Sequence, residues 1–90
     1  MSNVAGMQRR ESFRLTNRGS RTTDVWLEPW GDLVQAAPGA VLEVRAVGPK
    51  GDLLEIEVSE DKWTIYAWSG ALLEVHSDGR KIFGTGVPAP

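Results

Sequence analysis

The chain has no cysteine, and that absence removes more chemistry than any other feature of its 90 residues. Disulfides, thiolate nucleophiles, zinc knuckles and the thiolate ligand of a blue-copper centre all need a sulfur that is not there. Histidine is almost as scarce, with His76 the single imidazole. A metal site would therefore have to be built from carboxylates. Their one concentration is Glu55, Glu57, Glu60 and Asp61, with Glu43 as a candidate from a neighbouring strand. Glu55 and Glu57 would stand about 7 Å apart on one strand face, an arrangement that a solvated acidic surface shares, so no metal and no cofactor are expected. No Gly-x-Gly-x-x-Gly or phosphate-loop pattern occurs, and the glycines sit singly between strands. The opening MSNVAGMQRRESF has no apolar run of signal-peptide length, and nothing downstream approaches the roughly 20 apolar residues of a membrane span. The expected location is cytoplasmic, with no membrane partner.

The same scarcity weighs against catalysis. A nucleophile needs a base, and the base needs an orienting group. Here His76 is flanked by Ser77 and Asp78 in a predicted hairpin, and strand alternation sends consecutive side chains to opposite faces. Paired carboxylates for glycoside hydrolysis need a cleft that isolates one of them, and a domain this small has little room for one. The expectation is a protein that is not an enzyme, with a small hydrolase as the third reading.

What the chain does have is alternation. Ninety residues support one core, since a chain of this length buries only about two thirds of the surface its unfolded form exposes. Phe13 and Leu15 alternate with Arg14 and Thr16, and Val25 and Leu27 with Trp26 and Glu28, which is the period of two of a half-buried strand. Leu42, Val44 and Ala46 oppose Glu43 and Arg45, and Leu54, Ile56 and Val58 oppose Glu55 and Glu57. KWTIYAW places Trp63, Ile65 and Ala67 on one face and Thr64, Tyr66 and Trp68 on the other, so neither face is plainly polar. LLEVHSDGRKIF reads as a hairpin turning at Asp78-Gly79, with Val75 facing Ile82 and His76 facing Lys81. NRGSR, EPWGD, APGA, GPKGD, SEDK and SGA separate these runs at the spacing of antiparallel strands. PWGDLV and PKGDLL share Pro-x-Gly-Asp-Leu, which reads as one turn chemistry used twice. No segment carries an apolar stripe at helical spacing. The fold class expected is all-β: a single antiparallel β-sandwich of six or seven strands with no substantial helix. Its domain spans residues 9–83, between a flexible N-terminus at 1–8 and a flexible C-terminal tail at 84–90.

Two features point to function. Residues 1–23 hold Arg9, Arg10, Arg14, Arg18 and Arg21 against the single Glu11, whereas the rest of the chain is strongly acidic and the net charge is −2. The arginines suit a polyanion, or they lie over the protein's own acidic surface; an acidic domain is a poor nucleic-acid binder, so nucleic acid is the alternative reading. The second feature is the aromatics. With Val25 and Leu27 inside, Trp26 faces outward, Tyr66 and Trp68 do so from another strand, and Trp30 sits in a turn. Together they would make a platform for a ring or for a partner's apolar surface. Alternatively they close the open ends of the sandwich, a role assigned here to Trp63 and Trp30.

The tract NRGSRTTDVWLEPWGDLVQAAPG at 17–39 is similar to a pattern in small bacterial all-β proteins, an asparagine followed by Glu-Pro-Trp-Gly and then Pro-Gly, a resemblance that extends from Phe13 to Phe83 and implies no activity. Asn17, Arg18, Arg21, Val25-Trp26-Leu27 and Pro38-Gly39 also resemble the start of the von Hippel-Lindau β domain. That resemblance implies an antiparallel sandwich and carries no site. The combined expectation is a non-catalytic binding or protein-interaction module. It would use the outer face around Trp26, Tyr66, Trp68 and Trp30, or an exposed edge strand through which copies of the chain could also associate.

Overall fold

The structure, a computed structural model, describes residues 8–90. Residues 1–7 of the expected flexible N-terminus lie outside the described residues, and Gln8 opens the first strand. Eight strands follow in order: β1 Gln8–Thr16, β2 Thr23–Glu28, β3 Asp32–Ala36, β4 Val41–Pro49, β5 Glu55–Val58, β6 Lys62–Tyr66, β7 Leu72–Ser77 and β8 Arg80–Gly84. There is no helix among the described residues. The all-β class is as expected, but the architecture is eight strands in two four-stranded sheets, β1-β4-β7-β8 and β3-β2-β6-β5.

The structure makes two corrections to the expected antiparallel sandwich of six or seven strands. The additional strand is β3, whose short sequence DLVQA buries only Ala36 fully and half-buries Val34, so its alternation is faint. The sheets are also not wholly antiparallel, because β2 and β6 run parallel, with Trp26 beside Thr64 and Glu28 beside Tyr66. Hairpins β2–β3 and β5–β6 meet through the first strand of one and the second of the other, and these two strands run in the same direction.

Alternation decides which side chains are enclosed. Val25, Leu27, Ala36 and Ile65 from the second sheet meet Leu42, Val44, Ala46, Leu73 and Val75 from the first in one buried cluster. Phe13, Leu15, Trp63 and Phe83 pack against its margins. β5 departs from the expected dry face: Ile56 and Val58 point inward yet are 40% and 65% exposed, because an edge strand has neighbours on one side only. The β7–β8 hairpin turns at Asp78 and Gly79, both at positive φ (50° and 83°), as a type I′ turn requires. A bulge then shifts the register, so Val75 faces Phe83 rather than Ile82, while His76 faces Lys81 as expected. The shift puts Phe83 against the core and leaves Ile82 exposed.

The Pro-x-Gly-Asp-Leu echo is not one turn used twice. The first copy closes the β2–β3 hairpin, with the Gly31 N–H donating to the Leu27 carbonyl at 3.0 Å. In the second, Pro49 still belongs to β4 and the chain crosses from one sheet to the other. Residues 84–90, expected to be a flexible tail, are held against the body. Ala89 donates to the Ala71 carbonyl at 2.9 Å and accepts from the Gly70 N–H at 2.7 Å, and Ala89 itself is buried.

Candidate binding face

The outer face of the second sheet is laid out by strand register. In its middle row, Leu33, Trp26, Thr64 and Glu57 lie side by side across β3, β2, β6 and β5. One row along, Glu28, Tyr66 and Glu55 are neighbours; on the opposite side of the middle row stand Gln35, Asp24 and Lys62. Trp26 alternates with the fully buried Val25 and Leu27, which fixes its ring on the outside. Tyr66 and Leu33 are 37% and 44% exposed, whereas Thr64, beside Trp26 in the middle row, is covered.

This face is aromatic at its centre and acidic around it. The Tyr66 hydroxyl donates to Glu57 Oε1 at 3.4 Å. The negative charge of Glu57 pushes the phenol above its ordinary range, helped by partial desolvation, by the hydrogen bond to Glu57, and by Glu28 and Glu55. All ion pairs among the described residues lie in the other sheet: Arg9–Glu11 at 2.8 Å, Arg45–Glu43, His76–Glu74 at 2.9 Å and Lys81–Glu74 at 3.8 Å. Glu28, Glu55 and Glu57 are in none of them, so the potential over Trp26 and Tyr66 is not locally neutralised.

Two of the four aromatics expected on this platform are elsewhere. Trp68 is 4% exposed and belongs to the core. β6 ends at Tyr66, the Ala67 N–H closes onto the Glu28 carbonyl at 2.9 Å, and the chain then turns inward, so the alternation of β6 does not extend to residue 68. Its indole N–H donates to the Pro49 carbonyl at 2.6 Å. Trp30 leans onto the core and donates to the Val87 carbonyl at 2.9 Å, a lid linking the β2–β3 turn to the C-terminal tail.

The five arginines do not form one patch. Arg10 and Arg14 share the exposed face of β1, and Arg9 points to the opposite side, where Glu11 holds it. Arg18 and Arg21 lie in the loop after β1, where they line a groove of about 650 Å³ together with Glu60 and Asp61. Glu43 stands in the first sheet, away from the Glu55–Asp61 run, and no group of three His, Asp or Glu side chains converges as a metal site among the described residues. His76 is committed to Glu74, whose carboxyl is held below its ordinary range first by that hydrogen bond and then by the Lys81 charge, with burial opposing.

Asn17 is the polar residue that composition gave no reason to single out beyond the tract it opens. It is 4% exposed, its Nδ2 donates to the carbonyls of Arg21 and Ala36 at 2.8 and 2.9 Å, and its Oδ1 accepts from the Gly19 N–H at 2.9 Å. One side chain thereby fixes the loop that carries Arg18 and Arg21. Its signal in the sequence is the Asn-x-Gly spacing, which suits a side-chain oxygen capping an amide two residues on. Comparison with protein-family models, with curated proteins and with solved structures found no match for the chain.

Proposed function

We propose that the chain is a non-catalytic binding module whose outer second-sheet face takes a cationic group presented by a protein or peptide partner. One observation carries this reading: Trp26 and Tyr66 share an outer face with Glu28, Glu55 and Glu57, three carboxylates without ion pairs. Aromatic faces attract cations through their quadrupole, and carboxylates at the rim add Coulomb attraction and hydrogen-bond acceptors. Lysine, arginine or methylated lysine on an extended segment fits that chemistry. A polyanion reading through Arg9, Arg10, Arg14, Arg18 and Arg21 has less support, since these side chains are dispersed over two faces of β1 and a loop.

The chain contains one tyrosine, so the ionisation of Tyr66 can be followed by its phenolate absorbance without interference from a second phenol. A lysine- and arginine-bearing peptide should quench or shift tryptophan fluorescence. It should also bring the Tyr66 titration down toward the ordinary range of a phenol, because the bound cation offsets Glu57. Glu57→Gln should lower the Tyr66 titration without any peptide. Trp26→Ala should weaken peptide binding by on the order of tenfold while leaving the fold intact. Equal binding of an acidic peptide, or unchanged affinity in Trp26→Ala, would sink the proposal. Binding of an oligonucleotide that collapses between 50 and 200 mM salt, as phosphate contacts do on the order of a thousandfold, would favour the arginine reading instead.

A further inference from the structure

The two sheets end in open strands of opposite charge. β1 is an edge of the first sheet and exposes Arg10 and Arg14; β5 is an edge of the second, has all four of its residues exposed, and carries Glu55 and Glu57. We propose that β1 of one copy pairs with β5 of another, head to tail and parallel, with Ser12 across from Glu55 and Arg14 across from Glu57. This contact uses the strand edges and does not depend on cation binding at Trp26.

The direction and register follow from the hydrogen bonds already made. The Asn17 N–H bonds to the Ala40 carbonyl at 3.0 Å, which phases the unbroken β1–β4 ladder so that residues 9, 11, 13 and 15 point their backbone groups toward β4. Those of residues 10, 12, 14 and 16 therefore point to the open side. The Ser59 N–H bonds to the Lys62 carbonyl at 2.9 Å, so residues 55 and 57 are turned to β6, and residues 56 and 58 to the open side. An antiparallel pairing sets outward residues opposite one another. It would place the arginines of β1 beside Ile56 and Val58, and Phe13 beside a glutamate. A parallel pairing sets an outward residue between two outward residues of its partner. That brings Arg14 across from Glu57, Phe13 across from Ile56 and Leu15 across from Val58, with Arg10 diagonal to Glu55.

In this register the Arg14 N–H and carbonyl meet the Ile56 carbonyl and the Val58 N–H, and the half-exposed Ile56 and Val58 gain apolar neighbours. Shifting β1 by two residues keeps the backbone phase, but one direction sets Glu11 against Ile56 and the other sets Asn17, already committed to the loop after β1, against Val58. Like edges do not serve as well, because β5 on β5 opposes glutamates and β1 on β1 opposes arginines. Charge on an edge normally discourages association, but opposite charges on two edges of one molecule direct it. The contact is heterologous, so it propagates as short chains or closes as a ring.

A short edge contact is weak, with Kd on the order of 100 µM, so sedimentation velocity should be run on the whole chain from about 10 µM to 1 mM, around that value. The weight-average mass should rise across this range. Arg14→Glu or Glu57→Arg alone should weaken the association on the order of tenfold, and the two together should restore it. Trp26→Ala should leave it unchanged, which separates this contact from the peptide-binding face. The cysteine-free background allows a direct check of register: a mixture of Ser12→Cys and Glu55→Cys proteins should form a mixed disulfide, since paired Cα atoms stand about 5 Å apart. A mixture of Ser12→Cys and Glu57→Cys, which reports the shifted register, should form little. A monomer throughout the range, no rescue by the double reversal, or bridging of 12 to 57 as readily as to 55 would overturn the proposal.

Discussion

Trp68 shows how much one side chain settles here. Its indole fills the core between the end of β6 and the backbone of β4, and its N–H satisfies the Pro49 carbonyl. Trp68→Phe keeps a ring but leaves that carbonyl without its partner and opens space beside Gly48 and Ala71. A loss of about 1–3 kcal/mol is expected, which for a domain of this size lowers Tm by roughly 4–8 °C per kcal/mol. Thermal denaturation checks it. Trp26→Phe, on the outer face, should move Tm by far less, and acrylamide should quench Trp26 more readily than Trp68. Both residues sit at outward positions when a period of two is counted, Trp26 from Val25 and Trp68 from Ile65. The difference arises only because the chain turns after Tyr66, where the Ala67 N–H bonds to Glu28 of β2, a neighbour brought in from 39 residues upstream.

Among the elements, β4 is the most constrained. It pairs with β1 along nine residues and with β7 along its other edge, and near its end Gly48 lets the segment before β7 approach closely. A Cβ at Gly48 would lie 2.7 Å from Ala71 Cα and 3.1 Å from the Trp68 indole nitrogen. The first of these contacts is with backbone, so it cannot be relieved by a rotamer change. Gly48→Ala is expected to cost about 1–3 kcal/mol, measured as a lower denaturant midpoint with an unchanged slope. Seven of the eight strands are legible in the sequence: apolar residues on one face and polar residues on the other mark β1, β2, β4, β5, β7 and β8, and β6 is marked by a β-rich run of period two with neither face plainly polar. Faces are less legible at the edges. Ile56 and Val58 have the pattern of a dry face but no second neighbour to cover them, and Ile82 is displaced by a bulge that leaves no mark in residue type. The proposed binding face is half legible: Trp26 and Tyr66 follow from alternation, whereas the ring of Glu28, Glu55 and Glu57 needs the parallel β2–β6 pairing to assemble it.

For the whole molecule, the C-terminal tail acts as a strap across one end. Ala89 exchanges hydrogen bonds with the Gly70–Ala71 segment, and Val87 gives Trp30 its acceptor. Removing residues 87–90 should uncover Ala71 and Trp30 together and lower stability by about 1–3 kcal/mol, with Trp30 becoming accessible to quenchers. The strand order has a wider consequence. The first sheet draws on strands 1, 4, 7 and 8 of the chain and the second on strands 2, 3, 5 and 6, so neither sheet is a contiguous piece of sequence. A ribosome that has released β1 to β5 has completed neither sheet: β1 has met β4, and β2 has met β3, but β2 still lacks β6 and β4 still lacks β7. The halves are interlocked in time as well as in space. A break in the Pro49–Glu55 crossing should give two pieces that are each incomplete alone and become an ordered protein only when mixed.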